Sequence, residues 1–436
     1  MKDKHLIVVS VDALVYEDLE YAKNLPCFGK VIESGSIIER VKTIYPSLTH
    51  PVHASLITGC TPEMTGIPSN ELFGIGVDNK PWYNYLNQIK CDTIFHAAKR
   101  AGLVTAACRW PVTAGGMDVI DYLVPEFFSE YMDEYGEDPL EIYHKLGTCD
   151  EILDIVSDAI ERYSSTTEHP FYDEFEIYCA AEIIRRYKPN LLLTHPGYVD
   201  CMRHRTGVFS DDVKEAICAT DKWLSMLFDA VREAGIEDST DFVILSDHGH
   251  LNICRSVCLN VILADKGYIT VDKDGMITDW KAYVMSAGLS AHVYVNNTED
   301  EKLLDEIYVL LKQMVVDKLY GFEKVFTRAQ VKQEYGLDGG FSFVLETDGY
   351  SSFNQDHMRP FIRKNDITDY RYGQSTHGHL PEKGPQPPFL AMGPSFKRGV
   401  IIKEGNILNH APTFAKILNI SLLDTQGKVV DEILEI

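Results

Sequence analysis

His5-Leu6-Ile7-Val8-Val9-Ser10-Val11-Asp12 is an apolar run that stops on a carboxylate. Asp241-Phe242-Val243-Ile244-Leu245, followed by Ser246-Asp247-His248-Gly249, is built the same way. A strand wetted on one face alternates apolar and polar side chains, so runs apolar throughout predict strands buried on both faces. Asn190-Leu191-Leu192-Leu193-Thr194 is a third such run, with Leu103 to Ala107 and Phe389 to Met392 as two more. Between them lie stretches with apolar residues at helical spacing, Ser210 to Ala234 the clearest. The alternation predicts an α/β fold with a largely parallel central sheet.

Open parallel sheets bind ligands at the carboxyl ends of their strands. Asp12, Asp247-His248 and, after a short loop, Asp200 all fall there, so residues far apart in sequence are expected to meet in space. Asp200 and His204 are four apart, and one helical turn can aim both at one ion. Adjacent Asp247 and His248 before Gly249 need a partner such as a metal if both are buried. Thr49, within Pro46-Ser47-Leu48-Thr49-His50-Pro51, precedes a helix-like run with Pro51 in its first turn, which suits an N-cap. Unpaired amides and the helix dipole there favour both an alkoxide and a phosphate. Ser47 is a rival hydroxyl, outside the helix start. His377 lies in the polar loop Ser375-Thr376-His377-Gly378-His379, where either histidine completes the set. Taken singly, each motif has a plainer reading as a cap, a surface pair or a solvated loop residue. Together, three Asp and three His can hold two zinc ions beside a hydroxyl, and that combination is a phosphoryl-transfer site.

The chain has 436 residues, enough for one large domain with an insertion or for two domains. Hydrophobic residues make up 45%, which allows a substantial core. A formal charge of -24 argues against a surface for nucleic-acid polymers, although a bound cation would reverse the field locally for a small anion. The first apolar run is too short for a secretion signal, and no segment reaches the roughly 18 apolar residues of a membrane span. Ten cysteines occur without a CxxC pair; Cys254 and Cys258 are spaced to share a helix face. These features predict free thiols, a cytoplasmic location and no membrane partner. Two segments look added: a helical insertion at about 118–187 and a small α+β insertion at 266–365. They divide a catalytic core at 1–265 and 366–436. A homodimer is the default oligomer.

In their order along the chain, these motifs resemble the alkaline phosphatase superfamily, in its type I phosphodiesterase/nucleotide pyrophosphatase branch. The resemblance rests on strand-end Asp12; Pro46-Ser47-Leu48-Thr49-His50-Pro51-Val52-His53; and Thr58-Gly59-Cys60-Thr61-Pro62-Glu63-Met64-Thr65-Gly66-Ile67-Pro68-Ser69-Asn70. It continues through Asp200-x-x-x-His204-x-x-Gly207, Ser246-Asp247-His248-Gly249, His377-Gly378 and Gly393-Pro394-Ser395-Phe396. It implies a three-layer αβα sandwich. It also implies one zinc among Asp12, Thr49, Asp247 and His248, and a second held by Asp200, His204 and His377, with manganese or iron as alternatives. Thr49 would be the nucleophile of a phospho-threonine intermediate, and Asn70, with the amide after the nucleophile, would bind a phosphate oxygen. The expected substrate is a small phosphate diester or pyrophosphate, nucleotides included. Phosphonoacetate hydrolysis or monoester hydrolysis on the same site is the alternative, and a non-catalytic binding protein a third reading. The chain departs from the family pattern at His50, where a Phe is usual, and at Val52 and Thr65. Nucleotide specificity therefore does not transfer with the resemblance. Tyr45, Trp82, Trp110 and Tyr198 are candidate pocket aromatics. The absence of an Arg close to Thr49 in sequence suits a singly charged diester.

Overall fold

Strand β1 (His5–Ser10) is buried along its whole length. In the computed structural model, which describes residues 4–75, 81–127, 130–165, 167–369 and 371–435, it lies inside an eight-stranded sheet. The other strands are β2 (Ser36–Lys42), β3 (Thr105–Cys108), β4 (Tyr122–Val124), β5 (Leu191–Thr194), β6 (Thr240–Leu245), β7 (Phe389–Met392) and β8 (Ile401–Asn406). Their order is β8-β2-β7-β6-β1-β5-β3-β4. β1 pairs parallel with β5 and β6, in registers that set Val9 opposite Thr194 and Ser10 opposite Leu245. Only β7 runs against its neighbours, β2 and β6. The strand ends after Ser10, Cys108, Thr194 and Leu245 therefore share one edge of the sheet.

Successive β1 side chains divide between two cores. Ile7 and Val9 join one with helices α2 (Phe171–Tyr187) and α4 (Asp211–Glu233), while Leu6 and Val8 join the other with α1 (Thr49–Thr58) and α5 (His410–Leu418). That split is why the strand is apolar throughout, and it makes the fold a three-layer αβα sandwich. The segment taken as a helical insertion at about 118–187 contributes more to the sandwich than expected. Its Tyr122–Val124 is the sheet's edge strand, and α2 packs on the sheet.

A separate four-stranded antiparallel sheet, in the order 282–287, 290–295, 343–347, 322–327, packs with helix Glu301–Asp317 around its own core. Cys254 and Cys258 do not share a helix. Arg255–Cys258 is a strand paired with Ser351–Asn354, so backbone pairing to a distant segment overrides the helical spacing. All ten cysteines are free thiols. Among the described residues no helix is long and apolar enough to cross a membrane.

Candidate active site

Asp12 leaves β1 and enters a tight backbone turn at Ala13, whose φ is +58°. A non-glycine residue pays roughly 1–2 kcal/mol for that conformation. Two contacts hold it: Ala13 N–H donates to Asp247 Oδ1 at 3.2 Å, and its carbonyl accepts from Arg203 Nε at 2.9 Å. Arg203 is fully buried, also pairs with Asp18, and sits on helix α3 (Tyr198–Thr206) between Asp200 and His204. It thus ties the helix carrying two candidate ligands to the strand carrying a third.

The first cluster surrounds Thr49. Its hydroxyl lies 3.3 Å from His248 Nε2. That nitrogen is 3.2 Å from Asp247 Oδ2 and 3.6 Å from Asp12 Oδ1. Thr49 is the first residue of α1 rather than its cap; Leu48 takes the cap position with extended backbone, and no side chain caps the helix. The threonine hydroxyl is therefore left facing the cluster. Ser47, the rival, is buried and committed elsewhere: its hydroxyl meets His379 Nδ1 at 2.7 Å and accepts from Gly378 N–H. The same contact turns His379 away and leaves His377 as the histidine in the site.

The second cluster centres on Asp200. His204 Nε2 approaches it at 3.2 Å and His377 Nε2 at 3.9 Å. Both imidazoles are oriented from behind, His204 Nδ1 donating to the Ser375 carbonyl at 2.8 Å and His377 Nδ1 to the Ser47 carbonyl at 3.0 Å. Gly378 permits this placement. Its φ is +99°, and a Cβ there would sit 2.1 Å from the Ala287 carbonyl oxygen of the smaller sheet.

The electrostatics call for a cation. Burial and the neighbouring Asp200 and Asp247 carboxylates hold Asp12 well above the usual carboxylate range. Burial, with Asp200 adding repulsion, pushes Asp247 up to about 7. Asp200 goes the other way: burial alone would raise it, but His204 and His250 draw it well below its ordinary value. Burial pushes His248 well down, and His377 to about 4. Asp12 Oδ1 and Asp247 Oδ2 are buried without a hydrogen-bond partner. Acceptor-only carboxylate oxygens facing neutral imidazole nitrogens are the donor set of a divalent metal site. Asp12, Asp247 and His248 place ligating atoms within 4.8 Å of one another, as do Asp200, His248, His250 and His377.

Asn70 is buried at the same place, but its Oδ1 accepts the His50 N–H at 3.0 Å. The amide after the nucleophile is thus directed to Asn70, leaving the Asn70 NH₂ as the side chain's donor group. Of the candidate aromatics, Trp82 lies edge-on to His50 at 5.0 Å, and His50 Nε2 reaches Glu126 at 3.2 Å. Tyr45 and Trp110 are buried in the core, and Tyr198 packs near Trp223.

Four further residues enter the site unannounced. His53 sends Nδ1–H to the Thr49 carbonyl at 2.8 Å and meets the Ser10 hydroxyl at 2.9 Å, so both nitrogens are committed to holding the first turn of α1. His195, directly after β5, brings Nε2 to 3.2 Å from Asp12 Oδ2. His250 contacts Asp200 at 2.7 Å. Arg109, directly after β3, is near enough to lower the Asp12 carboxyl in part, although no Arg is close in sequence. Its charge is shared with Asp173 at 3.4 Å and Glu176 at 3.5 Å, and its guanidinium lies 3.6 Å from the centre of the Tyr172 ring. His195 and Arg109 directly follow strand ends, His250 follows His248 by two residues, and His53 closes the quoted motif around Thr49; those positions are the signal the sequence carries.

Fold and strand-end cluster together define an alkaline-phosphatase-like architecture. The model of the type I phosphodiesterase/nucleotide pyrophosphatase family matches residues 6–378, and the chain belongs to that family. It is 25% identical over 256 residues to rat ectonucleotide pyrophosphatase/phosphodiesterase family member 1, covering 57% of this chain and 24% of the relative. The yeast ectonucleotide pyrophosphatase/phosphodiesterase 1 is 24% identical over 82% of this chain and 48% of its own length. The chain thus spans about a quarter of the length of the mammalian relative and about half of the yeast one. Among solved structures, human ectonucleotide pyrophosphatase/phosphodiesterase 5 superposes with a TM-score of 0.69 at 19% identity, covering 99% of this chain and all of that one. The murine counterpart, an inactive threonine-to-alanine variant in complex with AMP, gives 0.68 at 17% identity.

Proposed function

We propose that this chain hydrolyses small phosphate diesters or pyrophosphates, nucleotides among them, at a two-zinc site through a phospho-threonine intermediate. The observation that carries the reading is the Thr49 hydroxyl, set at a helix N-terminus 3.3 Å from His248 Nε2, the nitrogen that faces the buried carboxylate oxygens of Asp12 and Asp247. Asp12, Thr49, Asp247 and His248 would hold one ion and Asp200, His204 and His377 the other. Bound there, the ions would lower the hydroxyl pKa and neutralise charge on the attacking and leaving oxygens.

The chain's own groups do the rest. The Thr49 oxygen attacks phosphorus, the bond to the leaving alcohol or phosphate breaks, and water then cleaves the Thr49–phosphate ester and restores the hydroxyl. His53 fixes the Thr49 backbone from behind. The Asn70 NH₂ is a donor for a non-bridging oxygen, the His50 amide being committed to Asn70 Oδ1. Arg109 is already shared by two carboxylates, which supports a singly charged diester over a monoester dianion. The AMP held by the murine relative supports a nucleotide as one substrate. Manganese or iron could occupy the same donor sets.

Turnover of bis-p-nitrophenyl phosphate, p-nitrophenyl phosphate and phosphonoacetate by the zinc-loaded protein tests the reading. The expected result is the highest kcat/KM for the diester and a loss of at least 10³-fold in Thr49→Ala. Undiminished activity in Thr49→Ala overturns the mechanism, and a preference for either other substrate overturns the class.

A further inference from the structure

Connecting turns normally lie at the protein surface. The turn that joins strands 282–287 and 290–295 of the smaller sheet is instead buried from Ala287 to Ser290. Ala287 pairs with Ser290, which leaves Gly288 and Leu289 as a two-residue turn. Gly288 has a φ of +71° and Leu289 does not have a positive φ, the type II′ combination. The amides and carbonyls of two such residues lie outside the strand ladder and need partners when buried. Here all of them are used. Gly288 N–H donates to the Ser286 hydroxyl at 3.2 Å, and the Gly288 carbonyl accepts from Phe353 N–H at 3.0 Å. The Leu289 carbonyl accepts from Thr347 N–H at 3.0 Å, and Leu289 N–H donates to the His377 carbonyl at 2.9 Å. Three of these bonds fix the turn within the smaller sheet's own surroundings, and the last reaches a candidate ligand.

The two backbones meet with no room for a side chain between them. A Cβ on Gly288 would stand 2.3 Å from the His377 carbonyl oxygen, as one on Gly378 would stand 2.1 Å from the Ala287 carbonyl oxygen. On its other side the same segment rests on Ser47, whose carbonyl accepts from His377 Nδ1–H and from Gly378 N–H, both at 3.0 Å. The backbone at His377 is thus clamped between the loop that leads to Thr49 and the hairpin turn of the smaller sheet. From that clamp its imidazole reaches towards Asp200, with Nε2 at 3.9 Å.

We infer that Gly288 is a positioning residue for the reaction: the turn it makes possible sets the distance of His377 from Asp200, so the smaller sheet is part of the Asp200 site. This rests on the two-metal reading, in which His377 is a ligand. An alanine at 288 would have to move about 1 Å from the His377 carbonyl to reach ordinary contact. Metal ligands are held to within about 0.2 Å of their preferred distances, so a shift of that size is felt at the ion. Asp12, Asp247 and His248 take their positions from the ends of β1 and β6 instead. A displaced His377 therefore weakens the Asp200 site and spares the one at Thr49.

The test compares wild type with Gly288→Ala and with Gly267→Ala. Gly267 also has a positive φ, +77°, but a Cβ there meets nothing within 4 Å, so it controls for backbone strain alone. Zinc is titrated against a chromogenic chelator, with circular dichroism to confirm the fold. The inference expects Gly288→Ala to bind one zinc within about threefold of wild type and the second roughly tenfold or more weakly, while Gly267→Ala keeps both affinities. Hydrogen exchange on wild type carries the test where Gly288→Ala does not fold. Opening the turn releases His377, so saturating zinc should slow exchange across 286–291 by roughly tenfold or more, and by more than in helix Glu301–Asp317 beside the same sheet. The inference is overturned if Gly288→Ala keeps the second affinity or weakens both equally, if Gly267→Ala weakens the second as much, or if zinc slows 286–291 no more than the helix. Failure of wild type to take up two equivalents of zinc would instead remove the two-metal reading, and this inference with it.

Discussion

Replacing Asp247 with Asn should stabilise the metal-free protein while destroying its response to zinc. The Asp247 carboxyl titrates near 3.8 in the unfolded chain and at about 7 in the fold, where burial and Asp200 oppose its charge. A carboxyl raised in this way leaves the fold unharmed below the lower value. Its cost grows as pH rises through the window and is complete above about 7. At about 1.4 kcal/mol per unit, the full cost is about 4 kcal/mol, of which about 3 kcal/mol falls between pH 5 and pH 8. Asparagine avoids it without losing the local contacts. Its oxygen can take the Ala13 and His248 N–H groups now held by Oδ1, and its NH₂ replaces Oδ2, 3.2 Å from His248 Nε2, a possible acceptor.

The assay is thermal unfolding of chelator-treated protein at pH 5 and pH 8, with and without added zinc. At about 2 °C per kcal/mol for a chain of this size, the chelated variant should melt about 8 °C above chelated wild type at pH 8, and only about 2 °C above it at pH 5. Zinc should raise the wild-type melting temperature well beyond that of the variant. Equal pH dependence of the two chelated proteins, or an equal rise with zinc, would refute the idea that this carboxylate awaits a cation.

Asn70→Ala should lower kcat/KM for bis-p-nitrophenyl phosphate by about 10²-fold with zinc content unchanged, as measured by steady-state kinetics and metal analysis. Arg203→Met strands Asp18 and releases the Ala13 carbonyl, so urea titration should show a loss of about 3–5 kcal/mol. His410, buried between Phe389 and Phe414, is held neutral by burial at about 3 against 6.5 in the unfolded chain. Only the unfolded state takes up its proton as pH falls below 6.5, so wild type should lose about 2 kcal/mol more stability than His410→Leu between pH 7 and pH 5 in urea titrations.

Legibility in the sequence followed burial. β1, β5, β6 and β7 stand out because sheet interior on both faces forces unbroken apolar runs. β2 ends with alternating exposure at Arg40 and Lys42, β4 has three residues, and β8 is an exposed edge carrying Lys403 and Glu404; none leaves that signature. In the site, the residues found from sequence were those attached to a recognisable strand or helical spacing. Arg109 and His195 obey the same strand-end rule after β3 and β5, but a lone Arg or His beside a short apolar run resembles any solvated loop residue. His250 was harder still, because its contact with Asp200 is made only by folding. A ligand's residue type can be read from sequence, whereas the direction of its lone pair depends on the acceptor behind it. That acceptor is usually backbone, as at Ser375 and Ser47, and backbone carbonyls carry no sequence label.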